Sequence, residues 1–291
     1  MEISHIGVIG AGQMGGGIAH VAAQKGYKVT MLDARAEALE KALKTVEGNM
    51  DRQIGKGNLT EAEKKAALSN ITTTTKMADL AKCNLVVEAA TENEEIKKKI
   101  FAELDGVLNK DGLIASNTSS ISITRLAAVT KRPEKFIGLH FMNPVPMMQL
   151  VEIIKGLATS NETYERVLEV ATKMGKTAAT SEDVPGFIVN RLLLPMLNEA
   201  AYALQDGVAG VKSIDTSMKL GAGHPMGPLT LADFIGLDTC VAIMRVLHNE
   251  LGDSKYRPCP LLVKFVDAGW LGKKAGRGFY DYSGPEPKPY R

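Results

Sequence analysis

Residues Ile6 to Ala19 read IGVIGAGQMGGGIA, and this stretch constrains the fold more than any other part of the chain. A short β-branched run (Ile6, Val8, Ile9) ends at Gly10. Gly12 and Gly15 follow at G-x-G-x-x-G spacing, and an apolar helical pattern (Ile18, Ala19, Val21, Ala22) begins at once. Gly10 permits a tight strand-to-helix turn, Gly12 lets backbone amides approach a pyrophosphate, and Gly15 allows close helix–sheet packing. The helix N-terminus adds N–H groups and the positive end of its dipole. Such a loop can also be a merely structural turn, and the following strand separates the two readings. Lys28 to Leu32 ends at Asp33, 18 residues beyond Gly15. A carboxylate at that place accepts hydrogen bonds from the ribose hydroxyls of a dinucleotide. It also repels a 2′-phosphate, so the expected cofactor is NAD rather than NADP. Arg35, two residues on, reads as a solvated residue in the first turn of the next helix.

Length and composition limit the partners. At 291 residues the chain suggests two domains. Its 45% apolar and 23% charged residues are ordinary for a globular protein, and a net charge of +2 with Lys and Arg scattered among acids argues against a nucleic-acid surface. No apolar run approaches membrane-spanning length, and the first strand begins near Ile3, leaving no room for a leader. Cys83, Cys240 and Cys259 are far apart and form no C-x-x-C pair. They read as reduced thiols of a cytoplasmic protein, and with the five histidines dispersed no metal site is expected.

Strand-like segments at 3–9, 28–32, 71–74, 84–88, 112–115, 135–140, 147–154 and 176–180 alternate with helical patterns, notably 14–25, 93–108 and 161–174. That alternation predicts an α/β fold, a Rossmann-type, doubly wound, mostly parallel sheet. Residues 34–70 make an unusually long crossover: two lysine-rich helical stretches broken at Gly55-Lys56-Gly57-Asn58 predict a helical hairpin projecting from the domain. Its turn is either simply solvated or a contact for an anionic ligand. In the helix after Asn93, Glu94–Lys98 and Glu95–Lys99 are i,i+4 pairs in the favourable orientation. After Val184-Pro185-Gly186 strand signals nearly vanish, and helical patterns at 187–205, 213–220, 230–250 and 260–268 take over. The expected domains are therefore 1–184, dinucleotide-binding, and 185–291, an all-helical domain for substrate and dimerisation. The 187–205 helix carries Pro195, which predicts a kink, and is apolar around most of its circumference, which calls for burial between domains or against a second subunit.

Removing a proton from an alcohol needs a base, and histidine suits neutral pH. Of the five, His5 lies inside the first strand, His20 and His248 lie on helices, and His224 sits in a Gly-His-Pro loop. His140 ends the strand Phe136–His140, and ligands of open α/β sheets collect at carboxyl ends of strands. Glu152 lies in the next apolar segment, where an isolated carboxylate is costly. Two strands joined by a Pro-containing turn could bring the pair together, the carboxylate fixing the imidazole tautomer. The alternative is a structural histidine with a surface glutamate on an edge strand. Ser119, beyond the strand 112–115, and Asn190, in the first turn of the apolar helix, read from the residues alone as a loop or capping serine and a buried amide.

These segments together resemble the 3-hydroxyacyl-CoA dehydrogenase family, closest to its stand-alone bacterial 3-hydroxybutyryl-CoA members. The resemblance runs from the first strand to the end of the chain. It is carried by the Gly10–Gly15 loop, Val86-Val87-Glu88-Ala89, Ser116-Asn117-Thr118-Ser119-Ser120, Gly138-Leu139-His140-Phe141-Met142-Asn143-Pro144, Asp183-Val184-Pro185-Gly186-Phe187 and Gly276-Arg277-Gly278-Phe279-Tyr280. It implies that His140 is the catalytic base and Glu152 its partner, with Ser119 and Asn190 on the reacting oxygens. It further implies cofactor contacts at Gln13 and Met14 within the glycine loop and at Glu92, Lys97, Ser119 and Asn143, and a contact of Lys56 with the CoA portion. Implied too are an acyl-CoA substrate oxidised at C3 with NAD, a homodimer through the C-terminal helices, and no fused hydratase domain in a chain of this length. Two other readings share part of the pattern. The hydroxyacid and 6-phosphogluconate-type dehydrogenases are similar in the glycine loop but resemble a lysine-based site, and lambda-crystallins resemble the family without catalysis.

Overall fold

Eight short segments of the first 182 residues form one sheet, the central ones apolar and the outer ones, at 71–74 and 177–182, carried by threonines. The strands are β1 (His5–Ile9), β2 (Lys28–Leu32), β3 (Ile71–Thr74), β4 (Leu85–Glu88), β5 (Leu113–Ser116), β6 (Phe136–Phe141), β7 (Leu150–Lys155) and β8 (Thr177–Glu182), in the order β3-β2-β1-β4-β5-β6-β7-β8. From β3 across to β6 every neighbour is parallel; β7 is antiparallel to β6, and β8 runs parallel to β7. The computed structural model describes residues 2–290, and the chain divides between Val184 and Pro185 into two compact units.

Six helices accompany the sheet: α1 (Gln13–Gln24), α2 (Ala36–Gly55), α3 (Glu61–Ser69), α4 (Glu94–Val107), α5 (Ile123–Ala127) and α6 (Asn161–Lys173). Alternate side chains of each strand point to opposite faces. Ile6 and Val8 of β1 join the core that takes in α1, α2 and α6. On the other face Phe136 of β6 meets Phe101 of α4 edge-on, with ring centroids 4.8 Å apart. Covered on both faces, β4, β5 and β6 are buried along their whole length. The chain winds from β1 outward to β3, then returns to start again at β4, so the order reverses between β1 and β4.

The long crossover is the expected hairpin of α2 and α3, turned at Gly57 (φ +72°) and restarted by a Thr60–Glu63 capping box. It differs from a freely projecting pair. Leu39, Ala42, Val46 and Met50 form a buried stripe at helical spacing and join the core of the first unit, while the outer face of α2, most of α3 and the turn around Lys56 stand in solvent. In α4 the expected Glu94–Lys98 pair forms (2.9 Å), whereas Glu95 also goes to Lys98 (3.1 Å) in place of Lys99.

The second unit contains α7 (Val189–Gln205), α8 (Val211–Gly221), α9 (Pro228–Ile235), α10 (Leu237–Leu251) and α11 (Pro260–Asp267) around its own apolar core. A short antiparallel pair, β9 (Tyr280–Asp281) and β10 (Lys288–Pro289), adds to the helices expected there. The pattern at 230–250 is two helices rather than one, because Gly236 between them holds φ at +104°, outside the helical region and open to glycine alone at low cost. Two buried aspartates brace the unit. Asp215 accepts from the N–H groups of Leu229 and Thr230 and from the Tyr280 hydroxyl. Asp233 accepts from the N–H groups of Phe279 and Tyr280 and from the Tyr282 hydroxyl. α7 turns Leu194, Leu197 and Ala201 inward, while Leu192 is 70% exposed. No helix among the described residues is long and apolar enough to cross a membrane.

His20 of α1 is fully buried beside Gln24 and Gln53, and burial, only partly opposed by those side chains, pushes its pKa down to about 4. The folded state holds this ring neutral while the unfolded chain protonates it below about pH 6.5. Stability should therefore fall as pH drops from about 6.5 toward 4, by up to about 3 kcal/mol from this residue. Denaturant unfolding at several pH values should show a flatter curve over that window for His20→Leu; a slope unchanged by the substitution would refute the assignment.

Candidate active site

The parallel strands β1, β2, β4, β5 and β6 bring their carboxyl ends to one edge of the sheet, and the glycine loop, Asp33, Glu92, the Ser116–Ser120 segment and the turn after His140 follow those ends. The three loop glycines meet three different demands. Gly10 adopts φ +101°, and a Cβ on it would come within 2.6 Å of the Ala90 backbone. A Cβ on Gly15 would lie 1.8 Å from the Gly10 carbonyl oxygen. Gly12 is the opposite case: nothing lies within 4 Å of where its Cβ would be, so a ligand can approach the backbone there. Gly12 is also the N-cap of α1, whose first turn carries no acidic side chain. Amide groups and dipole thus favour an anion, and the residues fit a dinucleotide pyrophosphate.

Asp33 follows β2 directly. Its Oδ2 accepts from the Ala11 N–H (2.8 Å) inside the glycine loop, and its Oδ1 accepts from the Arg35 N–H (3.0 Å). A carboxylate offers about four lone-pair sites, so it can orient the loop and still accept from a ribose diol. The Arg35 side chain is 79% exposed, with Nε 3.8 Å from Asp33.

Beyond β4 and β5 the polar residues converge. Glu92 Oε1 accepts from the Thr118 hydroxyl (2.7 Å), the Ser119 N–H (2.7 Å), the Ser119 hydroxyl (2.9 Å) and the Ser120 hydroxyl (3.2 Å). Lys97 is not a solvent-facing contact. Its Nζ, 1% exposed, lies 2.5 Å from Glu88 Oε2 at the end of β4 and 3.8 Å from Glu92 Oε2. Asn117 Oδ1 accepts from the Phe141 N–H (2.9 Å), tying the exit of β5 to that of β6.

The antiparallel register of β6 and β7 places His140 directly across from Glu152. His140 Nδ1 lies 2.8 Å from Glu152 Oε2, with the carboxylate fully buried and the histidine 8% exposed. Because β8 covers the far side of β7, Glu152 sits within the sheet and not on an edge strand. A buried carboxylate needs such a partner. Beyond His140 the chain turns through the cis Asn143–Pro144 bond. There the Gln13 side-chain amide donates to Asn143 Oδ1 (2.9 Å), and Lys176 Nζ donates to the carbonyls of Val145 (2.5 Å) and Met148 (2.7 Å). The turn beyond His140 is therefore held by the first helix and by the residue that precedes β8.

Met14 opens α1 beside Gln13 and is half-buried. Lys56 is exposed in the hairpin turn, and Asn190 lies half-buried in the first turn of α7, in the second unit. Asn117, Lys176 and Glu88 carry structural roles that the sequence reading does not assign. Glu88 alone left a signal, as a charged residue closing the apolar run Leu85-Val86-Val87.

Residues 5–184 match the 3-hydroxyacyl-CoA dehydrogenase NAD binding domain, and residues 186–282 match the C-terminal domain of the same family. The chain is 61% identical over 289 residues to the 3-hydroxybutyryl-CoA dehydrogenase of Bradyrhizobium diazoefficiens, covering 99% of each chain. It is 47% identical to that of Clostridioides difficile, over 96% of this chain and 99% of the relative. The crystal structure of (S)-3-hydroxybutyryl-CoA dehydrogenase from Ralstonia eutropha superposes with a TM-score of 0.96 at 50% identity, over 97% of this chain and all of that one. With both domains matched and a site that fits the dinucleotide, the chain belongs to the 3-hydroxyacyl-CoA dehydrogenase family and is an NAD-dependent oxidoreductase.

Proposed function

We propose that the chain interconverts (3S)-3-hydroxybutyryl-CoA and acetoacetyl-CoA, with His140 as general base and acid and Glu152 as its partner. The His140–Glu152 pair, buried at 2.8 Å, is the observation that carries this reading; the names of the full-length relatives support the four-carbon substrate. With Nδ1–H donated to Glu152, the lone pair of the neutral ring lies on Nε2. Nε2 takes the substrate hydroxyl proton, and the carboxylate stabilises the imidazolium that results. Bound NAD would supply the hydride acceptor for C3. In the reverse direction the imidazolium returns the proton to the ketone oxygen. Ser119 and Asn190 contact the reacting oxygens, and Lys56 meets the CoA portion. Gly10, Gly12, Gln13, Met14 and Gly15 hold the pyrophosphate, Asp33 the adenosine ribose, Glu92 and Lys97 lie toward the cofactor's ribose and nicotinamide side, and Asn143 adds a further cofactor contact.

The domains act as 1–184 for the dinucleotide and 185–291 for substrate and dimerisation. A homodimer through the C-terminal helices accounts for Leu192, Leu220 and Phe234, which are 70%, 82% and 62% exposed. Three buried free cysteines support a cytoplasmic location.

Oxidation of NADH by acetoacetyl-CoA, measured beside NADPH and a longer 3-ketoacyl-CoA, tests the activity. Fast turnover with NADH and the four-carbon substrate is expected, with kcat/KM at least about tenfold lower for NADPH, the equivalent of losing roughly one hydrogen bond to a charged group. Preference for the longer chain would overturn the substrate, and bound NADH without turnover would overturn the activity. Light scattering should give twice the chain mass; a monomer would contradict the dimer.

A further inference from the structure

Glu88 and Lys97 form an ion pair with almost no solvent contact (0% and 1% exposed) at the carboxyl end of β4. Two charges withdrawn from water cost several kcal/mol each before their attraction is counted, and well-packed apolar residues at such places are often as stable. Stability alone is a weak reason for this pair, and its connections point elsewhere. Lys97 Nζ lies 3.8 Å from Glu92 Oε2. The other oxygen of Glu92 gathers the hydroxyls of Thr118, Ser119 and Ser120 and the Ser119 N–H. A second route starts from the same carboxylate: the Ser116 hydroxyl donates to Glu88 Oε2 (3.1 Å), and the Thr118 N–H donates to the Ser116 oxygen (3.3 Å). The Ala90 N–H, donating to Glu88 Oε1 at 2.8 Å, fixes the carboxylate itself. Glu88, Lys97, Glu92, Thr118 and Ser116 thus close a ring, and Ser119 hangs from its Glu92 side.

We infer that Glu88 is a positioning residue for the reaction: through Lys97 and Glu92 on one side and Ser116 on the other, it sets the Thr118–Ser120 turn and so the place of Ser119. The inference rests on the reading of Ser119 as a contact of the reacting oxygen. Without the Glu88 charge, the buried Lys97 ammonium has Glu92 as the other carboxylate in this ring, and the closer pairing draws Glu92 away from the turn. A displacement of about 1 Å at an aligning group costs up to about 100-fold in rate.

The test compares Glu88→Gln, which keeps the shape and removes the charge, with the double variant Glu88→Gln/Lys97→Met, which removes both charges. Unfolding midpoint, NADH binding by fluorescence titration, and kcat and KM for acetoacetyl-CoA are measured for each. In Glu88→Gln, kcat should fall about 10- to 100-fold with a smaller change in KM. In the double variant the midpoint should return to near that of the parent while kcat stays at least about tenfold down, because Glu92 has lost its cation. A double variant that recovers midpoint and kcat together would overturn the inference, leaving a merely structural pair. Parental kcat in Glu88→Gln would do the same. If Glu88→Gln does not fold, the double variant decides alone. Ser119→Ala, assayed alongside, separates the two possible failures: an impaired Ser119→Ala beside a parental Glu88→Gln sinks the positioning role only, whereas a parental Ser119→Ala sinks the reading of Ser119.

Discussion

The antiparallel pairing of β6 with β7 is the contact on which the rest of the site depends. Elsewhere neighbouring strands of this sheet run parallel, and a parallel neighbour would reach His140 only by a long crossover. Reversal at this seam lets a short turn bring Glu152 back opposite His140. Register matters as much as direction. A slip of one residue would send one of the two side chains to the other face of the sheet and leave a carboxylate buried without its partner. Polar ties beyond the strand ends guard that register: Asn117 holds the Phe141 amide, Gln13 holds Asn143, and Lys176 holds the carbonyls of Val145 and Met148.

A consistent electrostatic layout follows from the parallel strands. The amide-rich N-terminus of α1 and an open approach over Gly12 favour the diphosphate, while Asp33 supplies acceptors one strand away. Lys97, Glu88 and Glu92 lie one strand to the other side, and His140 with Glu152 lies beyond them. The carboxylates of the first unit's site therefore find hydrogen-bond partners within it. That arrangement keeps buried polar groups satisfied and limits reorganisation when charge develops on a reacting oxygen.

Much of this was legible in the sequence, for identifiable reasons. Strand positions could be read because each run is bracketed by turn residues, and the hairpin because Gly55 to Asn58 interrupts two helical periods. His140 and Glu152 stood out as polar residues in apolar segments near one Pro-containing turn. Other features depend on contacts that periodicity does not carry. Lys97 sits in a run of three lysines, and nothing in that run points to its partner nine positions back on a strand. The break at Gly236 is hidden because the apolar period continues across it, and one glycine does not announce its own φ. The stripe of α2 that packs on the core was obscured by its many lysines and glutamates. Asn190 and Lys56 had no local pattern to mark them, and only the family resemblance drew them into the site.

The most direct measurement of the central claim is a pair of experiments on His140→Gln: NADH affinity by fluorescence titration, and turnover with acetoacetyl-CoA. Glutamine keeps a polar side chain of similar reach but cannot cycle a proton near neutral pH. NADH binding should stay within about twofold of the parent while turnover falls roughly 10²- to 10⁴-fold, the range of general acid–base assistance. Near-parental turnover in that variant would contradict the role of His140 as general base and acid.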